Sequence, residues 1–312
     1  MTSDFDIVIV GSGPAGLSAG GRAAQRGVSH VLFERTDHAS DTIYKYQKKK
    51  FVMATPDVLP LQSDMLFEAG VREDILDKWN TGLDEHSVNI RYKSEVTAIE
   101  GSKGDFTLTI NGEETVKAKH VIMSIGVQGN LRQLGVPGQE WERVQYQLDD
   151  PLEYEGETVV VVGAGDAAIE NAMGLTTQNE VVIINRKGEF ARAKQGNLNA
   201  INGAIESELI ECYFNASPLR VEPGLLVLKT PEGEAEVKCD RVIARLGANP
   251  PRRFVEACGI KFSSDEPSAL PELSATYESS VEGMYIVGAL AGYPLIKQAM
   301  NQGFEVVETI LG

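Results

Sequence analysis

Two glycine-rich turns, each directly after a short apolar run, constrain this chain more than any other feature. The first is Gly11-Ser12-Gly13-Pro14-Ala15-Gly16, after the mostly apolar run at residues 6–10, and the second is Gly163-Ala164-Gly165-Asp166-Ala167-Ala168, after residues 159–162. Both fit the pattern G-x-G-x-x-G/A. Its first glycine permits a tight turn, its second lets the backbone approach a pyrophosphate, and its third position lets a helix pack close to a strand.

The first turn is followed by the other parts of a nucleotide-binding unit. A helix is predicted to start at the turn, so its free N–H groups and positive dipole end would face phosphates. A second strand, residues 30–34, ends in Glu34. This carboxylate lies about 20 residues beyond the glycines, where it can accept hydrogen bonds from a ribose 2′-hydroxyl. Strand, turn, helix, strand and acid in this order predict a dinucleotide site.

The second turn differs at the corresponding position. The strand at residues 180–185 ends in Asn185, and Arg186, Lys187, Arg192 and Lys194 follow it. An acid would repel a 2′-phosphate, whereas cations would bind one. This site is therefore predicted to prefer NADPH over NADH, with a merely solvated cationic surface as the alternative.

The predicted fold class is α/β, with two Rossmann-like dinucleotide-binding domains in three layers, the second inserted in the first. A strand at residues 121–124 is followed by Gly126, and the same pattern of strand and glycine recurs near residues 242–247, where it ends at Gly247. We interpret Gly126 and Gly247 as hinges on either side of the inserted domain. A hairpin is predicted at residues 105–116 because Asn-Gly favours a two-residue turn. A strand at 284–287, a turn at 288–294 and a final helix could return to the first nucleotide. The expected domains are 1–126 with 248–312, and 127–247.

Composition narrows the class of protein. The net charge of −16 argues against nucleic acid or an anionic membrane as the main partner. No apolar run approaches the roughly 18 residues that a spanning helix needs. The N-terminal residues carry no basic leader, which favours a cytoplasmic location. The three cysteines form no C-x-x-C pair and the four histidines lack ligand spacing, so neither a disulfide framework nor a metal site is predicted.

These motifs together resemble the thioredoxin-reductase-like flavoproteins over essentially the whole chain. The resemblance includes "GAGDAAIENA", "NRKGEFARA" and the C-terminal "GMYIVGALAGYPLIKQAMNQG". It implies that FAD and NADPH are the cofactors and that the protein is a homodimer. For FAD it implies binding by Gly11, Gly13, Pro14, Ala15, Gly16, Glu34, Arg35, Gly126, Gly288, Ala289, Lys297 and Gln298, with the last two beginning a helix that faces the flavin. For NADPH it implies binding by Gly163, Gly165, Asp166, Ala167, Asn185, Arg186, Lys187 and Arg192.

The chain departs from that family in two places. Ala289 stands where the family usually has an aspartate that contacts FAD, and Tyr146 to Asp150 stand where thioredoxin reductases carry their C-x-x-C. The second departure resembles two branches, the ferredoxin–NADP reductases of this plan and the bacillithiol-disulfide-reductase-like flavoproteins. The proposed cysteine of the latter branch falls at Ala15 here. The chain also stops at Gly312, without the aromatic extension of the former branch, so we expect an open flavin face, a covering partner or a longer parent protein.

With no internal disulfide, electrons are expected to pass from NADPH through flavin to an external acceptor, most simply an iron–sulfur protein such as a ferredoxin. Lys45, Lys48, Lys49 and Lys50 form a cationic run that could steer an acidic carrier, or only a solvated loop. Two alternatives remain open: reduction of a small disulfide or other small oxidant at the flavin, and a nucleotide-binding redox sensor with little turnover. No catalytic side chain is identified from the sequence.

Overall fold

A computed structural model of the chain describes residues 4–129, 131–266 and 269–312. The chain divides into two compact units. The first comprises Met1–Tyr44, Lys49–Asn130 and Asn249–Gly312, and the second comprises Lys45–Lys48 and Leu131–Ala248. The short segment Lys45–Lys48 therefore belongs to the second unit, although the residues on both sides of it belong to the first.

The first unit is built on a seven-stranded sheet with helices packed on it. Its strands are β1 (Phe5–Val10), β2 (His30–Phe33), β5 (Ile90–Arg91), β6 (Val96–Glu100), β7 (Phe106–Ile110), β8 (Glu114–Met123) and β17 (Met284–Ile286), with a small separate hairpin of β3 (Phe51–Val52) and β4 (Gly70–Val71). Its helices are α1 (Pro14–Gln25), α2 (Asp41–Tyr44), α3 (Arg72–Glu85), α6 (Arg252–Ala257) and α7 (Ile296–Leu311), with a 3₁₀ turn at Gly288–Ala291.

Strand β8 joins the parallel and antiparallel parts of this sheet. Its second half pairs in parallel with both β1 and β17, while its first half pairs in antiparallel fashion with β7. The loop between β7 and β8 has three residues, because Ile110 pairs with Glu114. Asn111 and Gly112, both at positive φ, form a tight turn in which the Glu113 N–H donates to the Ile110 carbonyl oxygen at 3.1 Å. Strands β1 and β2 are almost completely buried, which explains why they read as continuous apolar runs.

The second unit has a five-stranded parallel sheet in the order β12-β11-β10-β16-β9. Its strands are β9 (Val144–Gln145), β10 (Thr158–Val162), β11 (Glu180–Asn185), β12 (Ile210–Phe214) and β16 (Arg241–Ala244). The remaining elements are α4 (Asp166–Leu175), α5 (Gln195–Glu206), a 3₁₀ turn at Pro151–Glu153, and an antiparallel sheet of β13 (Ser217–Glu222), β14 (Leu225–Thr230) and β15 (Gly233–Lys238).

The alternation of side chains along these strands gives the second unit three layers. One face of the sheet packs against α4 and α5 through Val159, Val161 and Ile183. The other face packs against the antiparallel sheet through Val160, Val162 and neighbouring residues. Both faces are therefore removed from water, and the second glycine turn lies at the carboxyl edge where β10 ends.

Candidate functional site

The first glycine turn leaves no room for a Cβ at Gly11 or at Gly16. A Cβ on Gly16 would lie 1.9 Å from the Gly11 carbonyl oxygen, and Gly11 has a φ of +94° with its Cβ position 2.9 Å from the Ser124 carbonyl oxygen. Helix α1 begins at Pro14 with Gly13 as its N-cap, and no side chain caps it. Its first N–H groups are therefore available to a bound pyrophosphate.

Glu34 lies directly after β2 and is only 5% exposed. One carboxylate oxygen accepts from the Ser12 backbone N–H at 2.9 Å and from the Ser12 hydroxyl at 2.6 Å. The other accepts from the backbone N–H and hydroxyl of Thr36, both at 3.0 Å. Arg35 is more exposed, with one guanidinium nitrogen 3.4 Å from the Gly129 carbonyl oxygen. The acid is thus fixed beside the glycine turn, as a ribose-binding carboxylate would need to be.

The C-terminal block returns to the first glycine turn. A Cβ on Gly288 would lie 3.3 Å from the Ala15 Cβ, and one on Gly303 would lie 2.1 Å from the Ala15 carbonyl oxygen. The Gly288 backbone N–H donates to Gln302 Oε1 at 2.7 Å. Helix α7 therefore packs directly on α1, and its own N-terminus carries no side-chain cap.

Lys297 and Asn301 on α7 form hydrogen bonds with a loop of the first unit. The buried Lys297 ammonium donates to the Pro56 carbonyl oxygen at 3.0 Å. Asn301 donates to the Pro60 carbonyl oxygen at 2.9 Å and accepts from the Gln62 N–H at 2.9 Å. Gln298 and Ala289 are half-buried near the start of this helix and in the preceding 3₁₀ turn. Helix α7 thus organises the loop at residues 56–62.

The second glycine turn repeats the geometry of the first. A Cβ on Gly163 would lie 2.4 Å from the Arg245 carbonyl oxygen, whereas one on Gly165 would meet nothing within 4 Å. Gly165 is the N-cap of α4, which also lacks a side-chain cap. Asp166 Oδ1 accepts from the Lys194 N–H at 2.9 Å and from Asn197 Nδ2 at 2.7 Å. Asp166 therefore connects the start of α4 to the start of α5, and Ala167 lies half-buried beside it.

The loop after β11 is organised by Asn185, which is 1% exposed. Its amide donates to the Glu189 carbonyl oxygen at 2.9 Å and accepts from the Lys187 N–H at 2.9 Å. The cations that surround this loop are all exposed, and none of them forms an ion pair with a residue that the structure describes: Arg186, Lys187, Arg192 and Lys194. They are available to an anion.

Arg245, which the sequence patterns did not single out, lies directly after β16 at the carboxyl edge of the same sheet. Its guanidinium donates to the Tyr146 carbonyl oxygen at 2.8 Å, while its Nε is buried without a partner. Burial is the main cause that lowers the pKa of this guanidinium. The sequence signal that could have revealed it is the single charge in "VIARLG", where the first unit has the uncharged "VIMSIG".

The lysine run at residues 45–50 is divided by the fold. Lys45 and Lys48 lie in the second unit, and Lys49 and Lys50 lie in the first. The Lys48 ammonium forms an ion pair with Asp150 at 3.1 Å. The four lysines therefore do not share one compact unit, and part of their charge is neutralised.

The thiols are poorly suited to redox chemistry. All three cysteines are unpaired, and burial raises the pKa of Cys212 to about 12 and those of Cys239 and Cys258 to about 11. A thiolate is the nucleophile in disulfide exchange, so these residues would react slowly. Among the described residues, no group of histidine, cysteine and acidic side chains could hold a metal ion, and no helix is long and apolar enough to cross a membrane.

The chain is similar to known proteins over almost its whole length. The sequence matches the family described as pyridine nucleotide-disulphide oxidoreductase over residues 8–288. It is 24% identical to a ferredoxin–NADP reductase from Ignicoccus hospitalis, covering 96% of this chain and 94% of that protein. It is 23% identical to bacilliredoxin reductase Bdr from Bacillus subtilis, covering 91% of this chain and 89% of that protein.

Solved structures share the fold. The bacillithiol disulfide reductase Bdr from Staphylococcus aureus superimposes with a TM-score of 0.88 at 21% identity, covering 99% of each chain. The Lactococcus lactis thioredoxin reductase gives a TM-score of 0.81 at 22% identity, covering 98% of each chain. These similarities confirm the predicted α/β class with two Rossmann-like domains and the predicted resemblance to thioredoxin-reductase-like proteins.

Proposed function

The chain belongs to the pyridine nucleotide-disulphide oxidoreductase family and is an NAD(P)H-dependent flavoprotein oxidoreductase that uses FAD and a nicotinamide nucleotide; from this, we propose that it passes electrons from NADPH to an external iron–sulfur protein such as a ferredoxin. The observation that carries the proposal is the state of the cysteines. Their pKa values are raised by burial and none is paired, so the described chain offers no internal disulfide to receive electrons.

The residues of the first unit fit FAD. Helix α1 begins without a side-chain cap, and a Cβ at Gly11 or Gly16 would press on other atoms of the protein, so these glycines allow the tight turn that leads into the free N–H groups of the helix. Glu34 presents a buried carboxylate at the adjacent strand end, where ribose hydroxyls would donate to it. Helix α7 also begins without a side-chain cap, so its first backbone N–H groups are free to donate to a group of the cofactor at this helix end. Bound FAD would supply the chemistry of accepting a hydride and releasing its electrons to an acceptor.

The residues of the second unit fit a nucleotide with a 2′-phosphate. Asn185 replaces the acid that would repel such a phosphate, and it shapes the loop that presents Arg186 and Lys187. These cations have no carboxylate partners among the described residues, so their charge is available. A phosphate would receive charge-assisted hydrogen bonds, which are roughly twice as strong as neutral ones. We therefore propose NADPH as the electron donor.

The test is an anaerobic titration of the purified protein with NADPH and, separately, with NADH, while the flavin absorbance is recorded. We expect rapid bleaching by NADPH and weak bleaching by NADH. A yellow protein that neither nucleotide reduces would contradict the reductase function and favour the redox-sensor alternative, which the replacement of the usual acid by Ala289 slightly supports.

The acceptor is tested by turnover. With NADPH as donor, we expect the protein to reduce a ferredoxin and to leave small disulfides unreduced. The second candidate, reduction of a small disulfide, is favoured by the similarity to the B. subtilis Bdr. It is opposed by Ala15, which stands at the position of the cysteine proposed for that branch. Turnover with a disulfide and none with a ferredoxin would reverse the order of these two candidates.

A further inference from the structure

The two units carry different side chains at one equivalent position. Ser124 follows β8 and Arg245 follows β16, and each strand pairs in parallel with the strand that leads into a glycine turn. The Ser124 N–H donates to the Val10 carbonyl oxygen and the Arg245 N–H to that of Val162, both at 2.8 Å. Each residue's own carbonyl oxygen lies against the first glycine of its turn. The backbones are therefore equivalent, and only the side chains differ.

In the first unit this side chain forms hydrogen bonds with the backbone of the glycine turn and of the strand before it. The Ser124 hydroxyl lies 2.9 Å from the Val10 carbonyl oxygen and 2.6 Å from that of Gly11. In the second unit the equivalent Arg245 reaches the Tyr146 carbonyl oxygen with one nitrogen, and its buried Nε has no partner. An arginine is not required to form the turn, because a serine is sufficient in the first unit.

Arg245 is part-buried, and its buried Nε lacks the carboxylate that such a nitrogen usually has. Glu170 and Asp149 act on it only through their charge, and no carboxylate of the described residues lies within ion-pair distance of it. Arg241, at the other end of the same strand, instead donates twice to Glu157, at 2.9 and 3.0 Å. Burying a charged group without a matched partner costs free energy. An anionic ligand would supply the partner that Arg245 lacks.

The sheet order indicates which part of a ligand would do so. Strands β11 and β12 lie on one side of β10, and β16 and β9 lie on the other, so the order reverses between β10 and β16. In doubly wound sheets a dinucleotide lies across the carboxyl edge at this point, with its adenosine ribose near the end of the second strand and its pyrophosphate at the glycine turn. The cations near Asn185 are on the adenosine side, and Arg245 is on the opposite side.

We infer that the Arg245 guanidinium is a further binding group for the nicotinamide nucleotide, in contact with the phosphate of its nicotinamide half. This inference rests on the proposed binding of a nicotinamide dinucleotide by the second unit. It assigns the two ends of the nucleotide to different cations: Arg186 and Lys187 bind the 2′-phosphate, and Arg245 binds the phosphate nearest the ring that delivers the hydride.

The experiment compares two ligands on the FAD-loaded full chain by isothermal titration calorimetry. NADP⁺ contains both halves of the nucleotide, whereas adenosine 2′,5′-bisphosphate lacks the nicotinamide-side phosphate. Arg245→Met is expected to bind NADP⁺ about 10- to 100-fold more weakly, the scale of one hydrogen bond to a charged group. Its affinity for the bisphosphate should stay within about twofold, because that ligand does not reach Arg245. The affinity of Arg245→Lys for NADP⁺ should lie between those of the wild-type protein and Arg245→Met.

Arg241→Met is the matched control, because it removes a part-buried arginine from β16, the strand that leads to Arg245. It should lower the urea unfolding midpoint and leave both ligand affinities unchanged. Equal weakening of both ligands in Arg245→Met would overturn the inference and make Arg245 a support of the turn, as would unchanged NADP⁺ binding. If the unsubstituted protein binds neither NADP⁺ nor NAD⁺, the proposed function fails, and the inference fails with it.

Discussion

At the scale of single residues, the proposed preference for NADPH rests on Arg186 and Lys187. Replacing both by glutamate should weaken NADPH binding by about tenfold or more for each cation that contacts the 2′-phosphate, because attraction becomes repulsion. NADH lacks this phosphate, so its KM should change little. Stopped-flow reduction of the bound flavin by each nucleotide measures the effect.

The control for this pair is a double replacement of Lys229 and Lys238 by glutamate. Both lysines are exposed on the antiparallel sheet of the second unit. Replacing them by glutamate changes the net charge by the same amount as in the Arg186/Lys187 variant. Its NADPH-to-NADH preference should match wild type. A Lys229/Lys238 variant that loses the preference as strongly as the Arg186/Lys187 variant would show that overall charge, and not a local phosphate site, sets the specificity.

The thiols make alkaline stability a second prediction at this scale. Because burial raises the pKa values of the three cysteines above their ordinary value of 9.0, to between about 11 and 12, the unfolded chain loses these protons first. Their contribution to stability is therefore complete below pH 9 and is lost as pH rises from 9 to about 11 for Cys239 and Cys258 and to about 12 for Cys212. The free energy of unfolding should fall by at most about 1.4 kcal/mol per pH unit for each thiol in this window.

Urea unfolding from pH 8 upward measures this effect. A variant with alanine at positions 212, 239 and 258 keeps every tyrosine, so tyrosine ionisation affects both proteins alike. At pH 8 this variant should have a lower free energy of unfolding than the wild-type protein, but that free energy should fall less as the pH is raised. Parallel pH profiles for the two proteins would contradict the assigned thiol pKa values.

At the scale of secondary-structure elements, the contact between α1 and α7 connects the end of the chain to the first glycine turn. A methyl group on Gly303 would lie 2.1 Å from the Ala15 carbonyl oxygen, so Gly303→Ala must push the helices apart. We expect a loss of about 1–3 kcal/mol in stability, as for other overpacked contacts. Because Ala15 lies in the turn, FAD retention should fall as well, measured by the ratio of flavin to protein absorbance.

Gly203→Ala on α5 is the matched substitution, because nothing lies within 4 Å of its Cβ position. It should be neutral or stabilise the protein by up to about 1 kcal/mol, since alanine is the better helix former. If Gly303→Ala unfolded at the same urea concentration as wild type and kept its flavin, the close helix contact would not be required.

The strands and turns of this fold were predictable because their signals are local. Buried parallel strands are continuous apolar runs, and the predicted strand at residues 180–185 agrees with β11 (Glu180–Asn185) to the residue. Strand β13 was not indicated, because Pro218 and Arg220 interrupt its pattern. Arg245 and the division of the lysine run were also not predictable, since both depend on which distant strands become neighbours.

At the scale of the whole molecule, a net charge of −16 opposes docking of an acidic electron carrier. Association would then depend on a local cationic surface. If Lys49 and Lys50 steer the carrier, replacing both by glutamate should lower the association rate constant about tenfold at low ionic strength. The difference should shrink as salt is raised to 0.5 M, because screening shortens the reach of each charge.

Stopped-flow reduction of ferredoxin by the prereduced protein, measured over a range of salt concentrations, gives these rate constants. The Lys229/Lys238 double glutamate variant changes the net charge by the same amount at another place. If steering is local, that variant should follow wild type at every salt concentration. If it slows as much as the Lys49/Lys50 variant, the repulsion is global, and the lysines at 49 and 50 are an ordinary solvated surface. A rate that does not depend on salt in any of the three proteins would instead indicate an acceptor whose docking face carries little charge, which argues against an acidic ferredoxin.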